Sequence, residues 1–296
     1  MNLQAYLSER KVIVDKALDS CLPEPDGPAR DIVSAMRYSL SAGGKRLRPI
    51  LCMAGAEAVG GPEADTLPVA CALELIHTYS LIHDDLPLMD DGDLRRGRPS
   101  SHKVFGDAVA LLAGDGLLTE AFNLMTAAEL TEKISPHVIL KVIGIIAQAA
   151  GYRGMVGGQV LDIQSEGKTV DFPIVEFIHS HKTGALIAAS VVSGSILGGG
   201  NESQIQAVTH YGRHVGLAFQ ISDDILDIEG NCRTMGKTVG VDEVDRKMTY
   251  PAVIGLSRSK EIQSELVETA VESLREFGHR AEPLRQIARY IIERQE

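Results

Sequence analysis

The sequence predicts an all-α protein, and two observations indicate this class. Aromatic residues make up 4% of the 296 residues while Ala, Leu, Ile and Gly are abundant, a composition that favours close helix packing over sheets. Between breaks that contain Gly and Pro, apolar residues recur with the helical period of about 3.6, and no period-two strand pattern persists. We expect one domain over residues 1–296, because no linker or shift in composition divides the chain.

Helix-breaking residues separate the predicted helices in order along the chain. The breaks are DGP at Pro28, GGPE at Pro62, Ser135 with Pro136, Asp171 with Pro173, and GGGNES at Asn201. The helix that ends at IHDD and the helix from Glu202 to Ile228 are apolar on several sides, which predicts that both are buried. The apolar stretch that begins at Thr183 is expected to be a core helix rather than a membrane span.

Charge and cysteine content exclude several classes of function. A net charge of -11 argues against a nucleic acid or an anionic membrane as partner. The cysteines are Cys21, Cys52, Cys71 and Cys232. They form no CxxC pair, which predicts reduced thiols rather than a zinc site or a disulfide framework. The N-terminal residues lack the features of a signal peptide, so we expect a cytoplasmic protein with no stable membrane anchor.

Two aspartate clusters indicate a metal-bound diphosphate. The first comprises Asp84, Asp85 and Asp90 in IHDDLPLMDDGDLRRG, and the second comprises Asp223, Asp224 and Asp227 in FQISDDILD. Asp223 and Asp227 are one helical turn apart and share a face. Carboxylates repel a diphosphate unless a cation such as Mg²⁺, or alternatively Mn²⁺, bridges the two.

The first cluster needs a break in its helix. Asp84 and Asp90 are six residues apart, which would set them about 120° out of register on an ideal helix. Pro87 lies between them and cannot donate a helical hydrogen bond. We therefore expect the chain to turn there and bring Asp90 back towards Asp84.

Basic residues follow both clusters and also form a separate group. Arg95 and Arg96 follow the first cluster, and Lys237 and Lys247 follow the second. Each of them can bind phosphate oxygens, although any one alone could be a solvated surface charge. GGKRLRP contributes a distinct group, Lys45 and Arg48. His77, which precedes the first cluster on its helix, could also donate a hydrogen bond to a phosphate. These residues predict a second anion site.

Neutral polar groups are placed near the clusters. Lys182 and Thr183, with Gly184, form a small polar island before an apolar helix, and Gln220 precedes Asp223 by three residues. Neutral dipoles beneath a metal-bound diphosphate can stabilise an incipient carbocation without trapping it. The alternative for Gln220 is an ordinary hydrogen-bonded amide on a helix.

Five motifs in this order resemble those of the trans-isoprenyl diphosphate synthases. They are GGKRLRP, IHDDLPLMDDGDLRRGRPSSH, HKTG, FQISDDILD, and GKTVGVDE with the later KMTYP. The sequence is most similar to bacterial farnesyl diphosphate synthases, whose first motif has the four-residue spacer seen here as LPLM. The resemblance implies an isoprenoid synthase fold of long helices around a deep cavity, a homodimer and a magnesium cluster. It also implies condensation of an allylic diphosphate with isopentenyl diphosphate.

The resemblance also assigns site residues by motif. The principal magnesium ligands would be Asp84, Asp90 and Asp223, supported by Asp85, Asp224 and Asp227. Isopentenyl diphosphate would be bound by Lys45, Arg48, His77 and Arg96. The allylic diphosphate would be bound by Arg95, Lys182, Thr183, Gln220, Lys237 and Lys247, of which Lys182, Thr183 and Gln220 would be catalytic. The tail RYIIERQE has one basic residue, Arg294, and so departs from the basic tail that closes the site in some relatives.

Product length is expected to depend on the helix before the first cluster. Ser80 is about 40° off the face of Asp84 and about one turn deeper, which leaves room for a growing chain. The role of Tyr79 as the floor rests on the resemblance, because it lies about 140° from Asp84. The expected product is the C15 farnesyl diphosphate, with a C20 geranylgeranyl diphosphate as the alternative.

The motifs disfavour three other functions. A terpene cyclase would have no use for the second anion site. A phosphohydrolase that uses His83 and Asp84 as a metal-binding pair would leave DDILD and HKTG unexplained. A non-catalytic partner subunit would have degraded aspartate clusters, whereas both clusters here are intact.

Overall fold

The computed structural model describes residues 1–229 and 249–293, which are almost entirely helical, so the predicted all-α class is confirmed. The helices are α1 Leu3–Ser20, α2 Arg30–Leu40, α3 Leu47–Val59, α4 Leu67–Asp84, α5 Ser101–Phe105, α6 Asp107–Met125, α7 Ala128–Thr131, α8 Pro136–Ala150, α9 Met155–Ser165, α10 Phe172–Ile178, α11 Ala185–Leu197, α12 Glu202–Glu229, α13 Tyr250–Ile254, α14 Leu256–Ser273 and α15 Glu282–Glu293. Short 3₁₀ turns cover Glu63–Thr66 and His279–Ala281. A π-helical turn covers His179–Gly184.

The centre of the molecule is built from α3, α4 and α11. Helix α4 is buried without interruption from Val69 to Ile76, and α11 is buried over most of its length, as predicted for a core helix. Helices α3 and α11 approach so closely that a side chain at Gly194 would overlap the backbone of Cys52. The small residues of these helices therefore allow backbone to pack against backbone.

The long helix α12 joins this centre to the C-terminal helices. The hydroxyl of Tyr211 donates a 2.7 Å hydrogen bond to the carbonyl of Leu284, and Ser222 Oγ donates a 2.9 Å bond to the carbonyl of Ile291. On another face, a Cβ at Gly216 would lie 2.7 Å from the Cα of Gly184. The second aspartate cluster is thus held on a helix that is fixed on several sides.

A small hairpin follows the first cluster, and the sequence pattern did not predict it. Strand β1, Leu94–Arg95, pairs antiparallel with β2, Arg98–Pro99. Arg96 and Gly97, between the strands, have φ of 53° and 75°. Positive φ at both central residues is typical of the tight turns that connect hairpins. Two-residue strands are too short to show a period of two, so no pattern in the sequence could indicate this hairpin.

Helices α6, α8 and α9 expose apolar side chains. Leu112 on α6 is 56% exposed and Leu140 on α8 is 67% exposed. By length and composition alone, Asp107–Met125 and Pro136–Ser165 could each cross a membrane, although helices of soluble proteins pass the same test. Only 33% and 39% of their apolar windows are buried within the chain, so these helices leave an extended apolar surface uncovered in the single chain.

Candidate active site

The first aspartate cluster forms where α4 ends. Asp84 is the last residue of the helix, and the chain then turns through Pro87. The backbone N–H of Asp90 donates a 2.9 Å hydrogen bond to the carbonyl of Asp84. The turn therefore returns Asp90 to the end of the helix, as the proline predicted.

The carboxyl of Asp84 lies in an environment that disfavours its charge. Its pKa is raised to about 6: burial is the main cause, Lys182 and Arg95 lower the pKa, and the neighbouring carboxylates of Asp90 and Asp85 raise it. The same interactions show that Lys182, from the π-helical turn, reaches the first cluster. A carboxylate that is crowded by carboxylates is a position where a cation would be stabilised.

Asp85 has a partner within the site. It is 2% exposed, and Arg95 Nε lies 3.0 Å from one of its carboxylate oxygens and 3.1 Å from the other. A Cβ at Gly92 would lie 2.9 Å from Asp85 Oδ1, so the chain passes close to this pair. Asp85 and Arg95 were expected to act on metal and on phosphate, and in the structure they bind each other.

The second cluster divides into two kinds of carboxylate. Asp223 and Asp227 are partly exposed, and Asp223 is within electrostatic range of Arg48. Asp224 is 2% exposed and points into the protein. Its Oδ2 lies 2.7 Å from His179 Nε2 and accepts a 2.9 Å hydrogen bond from the backbone of Tyr250.

The π-helical turn carries the polar island that the sequence indicated. Lys182 Nζ lies 2.6 Å from Asp162 Oδ2, and the hydroxyl of Thr183 donates a 2.8 Å hydrogen bond to Gln220 Oε1. Burial acts against the charge of Lys182, but Asp162 and the first cluster raise its pKa overall. A π-helical turn is a frequent feature of functional sites because it redirects side chains out of the helical register.

Sequence reasoning missed two residues on α9. Asp162 binds Lys182, and Gln159 has a buried Nε2 with no hydrogen-bond partner among the described residues. The two are three residues apart and so lie near each other on one face of α9. Polar residues at helical spacing within the apolar sequence MVGGQVLDIQ were the signal that could have identified them.

The residues predicted to form a second anion site lie around the loop before α3. Arg96 donates to the carbonyl of Gly43, and its Nη2 lies 3.8 Å from Glu74. Burial lowers the pKa of Arg48 to about 10, and its Nε has no partner among the described residues. Lys45 is exposed on the same loop. The site therefore presents cations that are only partly neutralised by protein groups.

His77 lies among these arginines. Burial lowers the pKa of its imidazole well below the usual value, and the charges of Arg48, Arg96 and Arg95 lower it further. The ring is therefore neutral at pH 7 and can donate one N–H to an anion. This environment agrees with the position expected for His77 but adds no charge to the site.

Arg46, in the middle of GGKRLRP, has a structural role that differs from the roles expected for Lys45 and Arg48. It is buried in the left-handed conformation, with φ of 53°. Its guanidinium lies 2.8 Å from both Asp15 and Glu74 and donates to the carbonyl of Leu40. Arg46 therefore fixes the loop against α1, α2 and α4.

The residues present fit a divalent cation that is shared with a diphosphate. In residues 1–229 and 249–293 no three His, Cys, Asp or Glu side chains form a closed metal site. Mg²⁺ is commonly held by one or two carboxylates together with phosphate oxygens and water, so an open set of carboxylates is what such a site requires. Asp84, Asp90 and Asp223 offer oxygen donors of this kind. The predicted residues Lys237, Lys247 and Arg294 lie outside the described residues.

The residues expected to control product length are on α4 below Asp84. Tyr79 is buried, and its ring contacts that of His83 edge to face at 5.6 Å between centroids. Ser80 donates a 2.9 Å hydrogen bond to the carbonyl of His77. His83 itself lies against α6, with Nε2 3.0 Å from the carbonyl of Leu111. The imidazole therefore faces α6, which disfavours the rival metal pair of His83 with Asp84.

Comparison with known proteins identifies the family of the chain. The polyprenyl synthetase family matches residues 30–289. A farnesyl diphosphate synthase of Geobacillus stearothermophilus is 50% identical over 93% of this chain and 92% of its own length. The large subunit 1 of the heterodimeric geranylgeranyl pyrophosphate synthase of Arabidopsis thaliana is 47% identical, over 99% of this chain and 80% of its own length.

A solved structure gives the same result. The FPP/GFPP synthase of Zymomonas mobilis superposes with a TM-score of 0.87 at 38% identity, and the match covers 98% of this chain and 99% of that chain. The fold, the motifs and the relatives therefore indicate the same family over nearly the whole sequence. The chain belongs to the polyprenyl synthetase family and is a trans-prenyltransferase of the all-α isoprenoid synthase fold.

Proposed function

We propose that this enzyme condenses isopentenyl diphosphate first with dimethylallyl diphosphate and then with geranyl diphosphate to give (E,E)-farnesyl diphosphate. The observation that carries the C15 product is the buried Tyr79 on α4, below Asp84, where the chain would grow. A C20 product is the second candidate, because relatives named for farnesyl and for geranylgeranyl products are similarly close.

The two anion sites have different roles in this proposal. The allylic diphosphate binds between the aspartate clusters, whose carboxylates would hold Mg²⁺, or Mn²⁺ in its place. The bound cation would supply positive charge to the leaving group. Lys182 and Arg95, both within electrostatic range of Asp84, add positive charge at that end. Isopentenyl diphosphate is held from the other side by Lys45, Arg48, His77 and Arg96. Lys237 and Lys247, which lie outside the described residues, are proposed for the allylic side.

Thr183 and Gln220 are proposed to face the reacting carbon. Their oxygens are neutral, so they can stabilise a developing allylic cation without forming a bond to it. The double bond of isopentenyl diphosphate then attacks the allylic carbon, and a proton is lost to the released diphosphate. No side-chain base is needed for this sequence.

The proposal includes a homodimer. The exposed apolar surface of α6 and α8 is of the kind that monomers rarely leave open, and a second copy of the chain would cover it. Burial of this surface in a dimer accounts for the apolar helices without a membrane. A cytoplasmic location remains part of the same proposal.

One experiment tests the product. The enzyme is supplied with Mg²⁺, isopentenyl diphosphate and a five-, ten- or fifteen-carbon allylic starter, and the products are identified by mass. We expect C15 from the first two starters and little elongation of the third. Efficient conversion of the fifteen-carbon starter to C20 would instead assign a geranylgeranyl diphosphate synthase.

A further inference from the structure

A chain of hydrogen bonds, buried at one end and partly buried at the other, joins the π-helical turn to α12. It runs from His179 through Asp224 to Gln220 and ends at Thr183. The distances are 2.7 Å between His179 Nε2 and Asp224 Oδ2, 3.3 Å between Gln220 Nε2 and Asp224 Oδ1, and 2.8 Å between Thr183 Oγ1 and Gln220 Oε1. The first and last residues both belong to the π-helical turn, and the middle two belong to α12.

The direction of each bond follows from the chemistry of Asp224. An ionised carboxylate only accepts hydrogen bonds, so the atom of Gln220 that faces it must be the amide nitrogen. The amide oxygen of Gln220 then faces Thr183 and accepts the proton of its hydroxyl. As a result, the hydroxyl proton of Thr183 is engaged, and its oxygen keeps lone pairs that can accept or stabilise positive charge.

Asp224 is also closed to a metal ion in this arrangement. Its Oδ2 is bound by His179 and by the backbone N–H of Tyr250, and its Oδ1 is bound by Gln220. The residue is 2% exposed, whereas its neighbours Asp223 and Asp227 on the same helix are partly exposed. The role first expected for Asp224, support of the magnesium cluster, does not match these contacts.

We propose that Asp224 is a positioning residue that acts through Gln220 and Thr183 and is not a metal ligand. Held by His179, it fixes the orientation of the Gln220 amide, and this amide fixes the hydroxyl of Thr183. Both oxygens then present their negative ends to the allylic carbon as its bond to diphosphate breaks. This inference rests on the proposed function for the role of Thr183 and Gln220.

The test compares Asp224→Asn with the matched variant Asp223→Asn. An asparagine keeps the size of the side chain but replaces one acceptor oxygen by a donor. If that donor faces Gln220, the amide must turn over and present its nitrogen to Thr183. Two measurements are made besides activity in the steady state: the Mg²⁺ concentration for half-maximal rate, and the rise in Tm produced by Mg²⁺ with inorganic diphosphate.

The expected results separate positioning from metal binding. Asp224→Asn should lower kcat by about 10²-fold, the effect of losing one preorganised dipole, with KM and the Mg²⁺ requirement within twofold of the parent enzyme. Its Tm should still rise with Mg²⁺ and diphosphate. Asp223→Asn should require more Mg²⁺ and lose most of that rise. A Mg²⁺ requirement raised as much by Asp224→Asn as by Asp223→Asn would overturn the inference.

A compensating variant provides a second check. In Asp224→Asn with Gln220→Glu, the new amide can donate to the new carboxylate, which can again accept the hydroxyl of Thr183. We expect the double variant to recover part of the kcat lost in Asp224→Asn, which is a direct measure of coupling between the two positions. A double variant less active than either single variant would contradict the orienting role.

The inference can still be tested if Asp224→Asn does not fold or if the parent enzyme is inactive. If Asp224→Asn does not fold, Gln220→Met removes the link but leaves Asp224 with two partners, and the same loss of kcat at an unchanged Mg²⁺ requirement is expected. Full activity of Gln220→Met would overturn the inference. Failure of the parent enzyme to elongate any allylic diphosphate would contradict the proposed function instead, while the Tm comparison would still decide whether Asp224 contributes to metal binding.

Discussion

At the scale of single residues, Asp84 has the clearest physical signature in the site. An ordinary aspartate ionises near pH 4, whereas burial raises the pKa of Asp84 to about 6. Between these values the folded protein holds a proton that the unfolded chain has released. Stability of the metal-free protein from this residue is therefore greatest below about pH 4 and is lost as the pH rises to about 6.

Replacement of Asp84 by Asn should consequently stabilise the metal-free protein while it removes activity. Asparagine has no charge to bury, so we expect a higher Tm than the parent at pH 8 and a much smaller difference at pH 5, measured by calorimetry in the presence of a chelator. The kcat should fall by at least ~10³, because stabilisation of the leaving group is lost. A lower Tm at pH 8, or near-normal turnover, would contradict this account.

The separation of the two anion sites can also be tested at single residues. Arg48→Ala should weaken isopentenyl diphosphate more than the allylic substrate, because Arg48 lies with Arg96 in the site around the loop before α3. Each charge-assisted contact is worth roughly 1.5–3 kcal/mol, and Lys45→Ala should act in the same direction. The measurement is KM for each substrate, with the exposed Arg153 replaced by Ala as control. Equal effects on the KM of both substrates would indicate that both bind at one site and would contradict two separate anion sites.

At the scale of elements, α4 connects the chemistry to the length of the product. Its C-terminal residue is Asp84, and Tyr79 and Ser80 lie about one turn back along the helix, next to the space into which the product is proposed to grow. We predict that Ser80→Phe shifts the product towards C10, because the added ring fills that space. We predict also that Tyr79→Ala admits C20, because the floor is removed. Product masses from both variants decide this, and unchanged C15 from both would place the floor elsewhere.

The elements also show what could be predicted from sequence. Long apolar helices such as α11 and α12 follow from composition and period, and the turn at Pro87 follows from a missing N–H. The hairpin at Arg96 and the π-helical turn were not predicted, because two-residue strands and a single wide turn leave no periodic pattern. Their geometry depends on local φ values and on tertiary packing.

The motifs name candidate residues for the site, but they do not predict which of these residues pair with each other. Motifs located Asp84, Asp223 and the basic residues. The bonds from Arg95 to Asp85 and from His179 to Asp224 were not predicted. His179 and Asp224 are 45 positions apart in the sequence, and no local sequence pattern encodes such a contact. Burial decides which carboxylates of a cluster stay open to solvent, and burial is a property of the fold.

At the scale of the whole molecule, the apolar surface of α6 and α8 predicts association. Sedimentation at micromolar concentration should give about twice 31.8 kDa. Leu140→Glu should shift this towards the monomer, because Leu140 is 67% exposed in a single chain and a charge there would have to be buried in a dimer. The exposed Val12→Glu, on α1, serves as control. A parent enzyme that sediments as a fully active monomer would contradict the proposed assembly.

The arginines that surround His77 have a consequence for the life of the protein in a cell. Arg46 and Arg95 are paired with carboxylates. Arg48 and Arg96 are less well compensated: burial lowers the pKa of each, and the charge of Arg96 lowers that of Arg48 further. Such crowding of like charge is relieved when an anion arrives, so substrate should act as a folding ligand as well as a reactant. An enzyme deprived of diphosphates would open more often and be degraded sooner, and its abundance would then follow the supply of its own substrates.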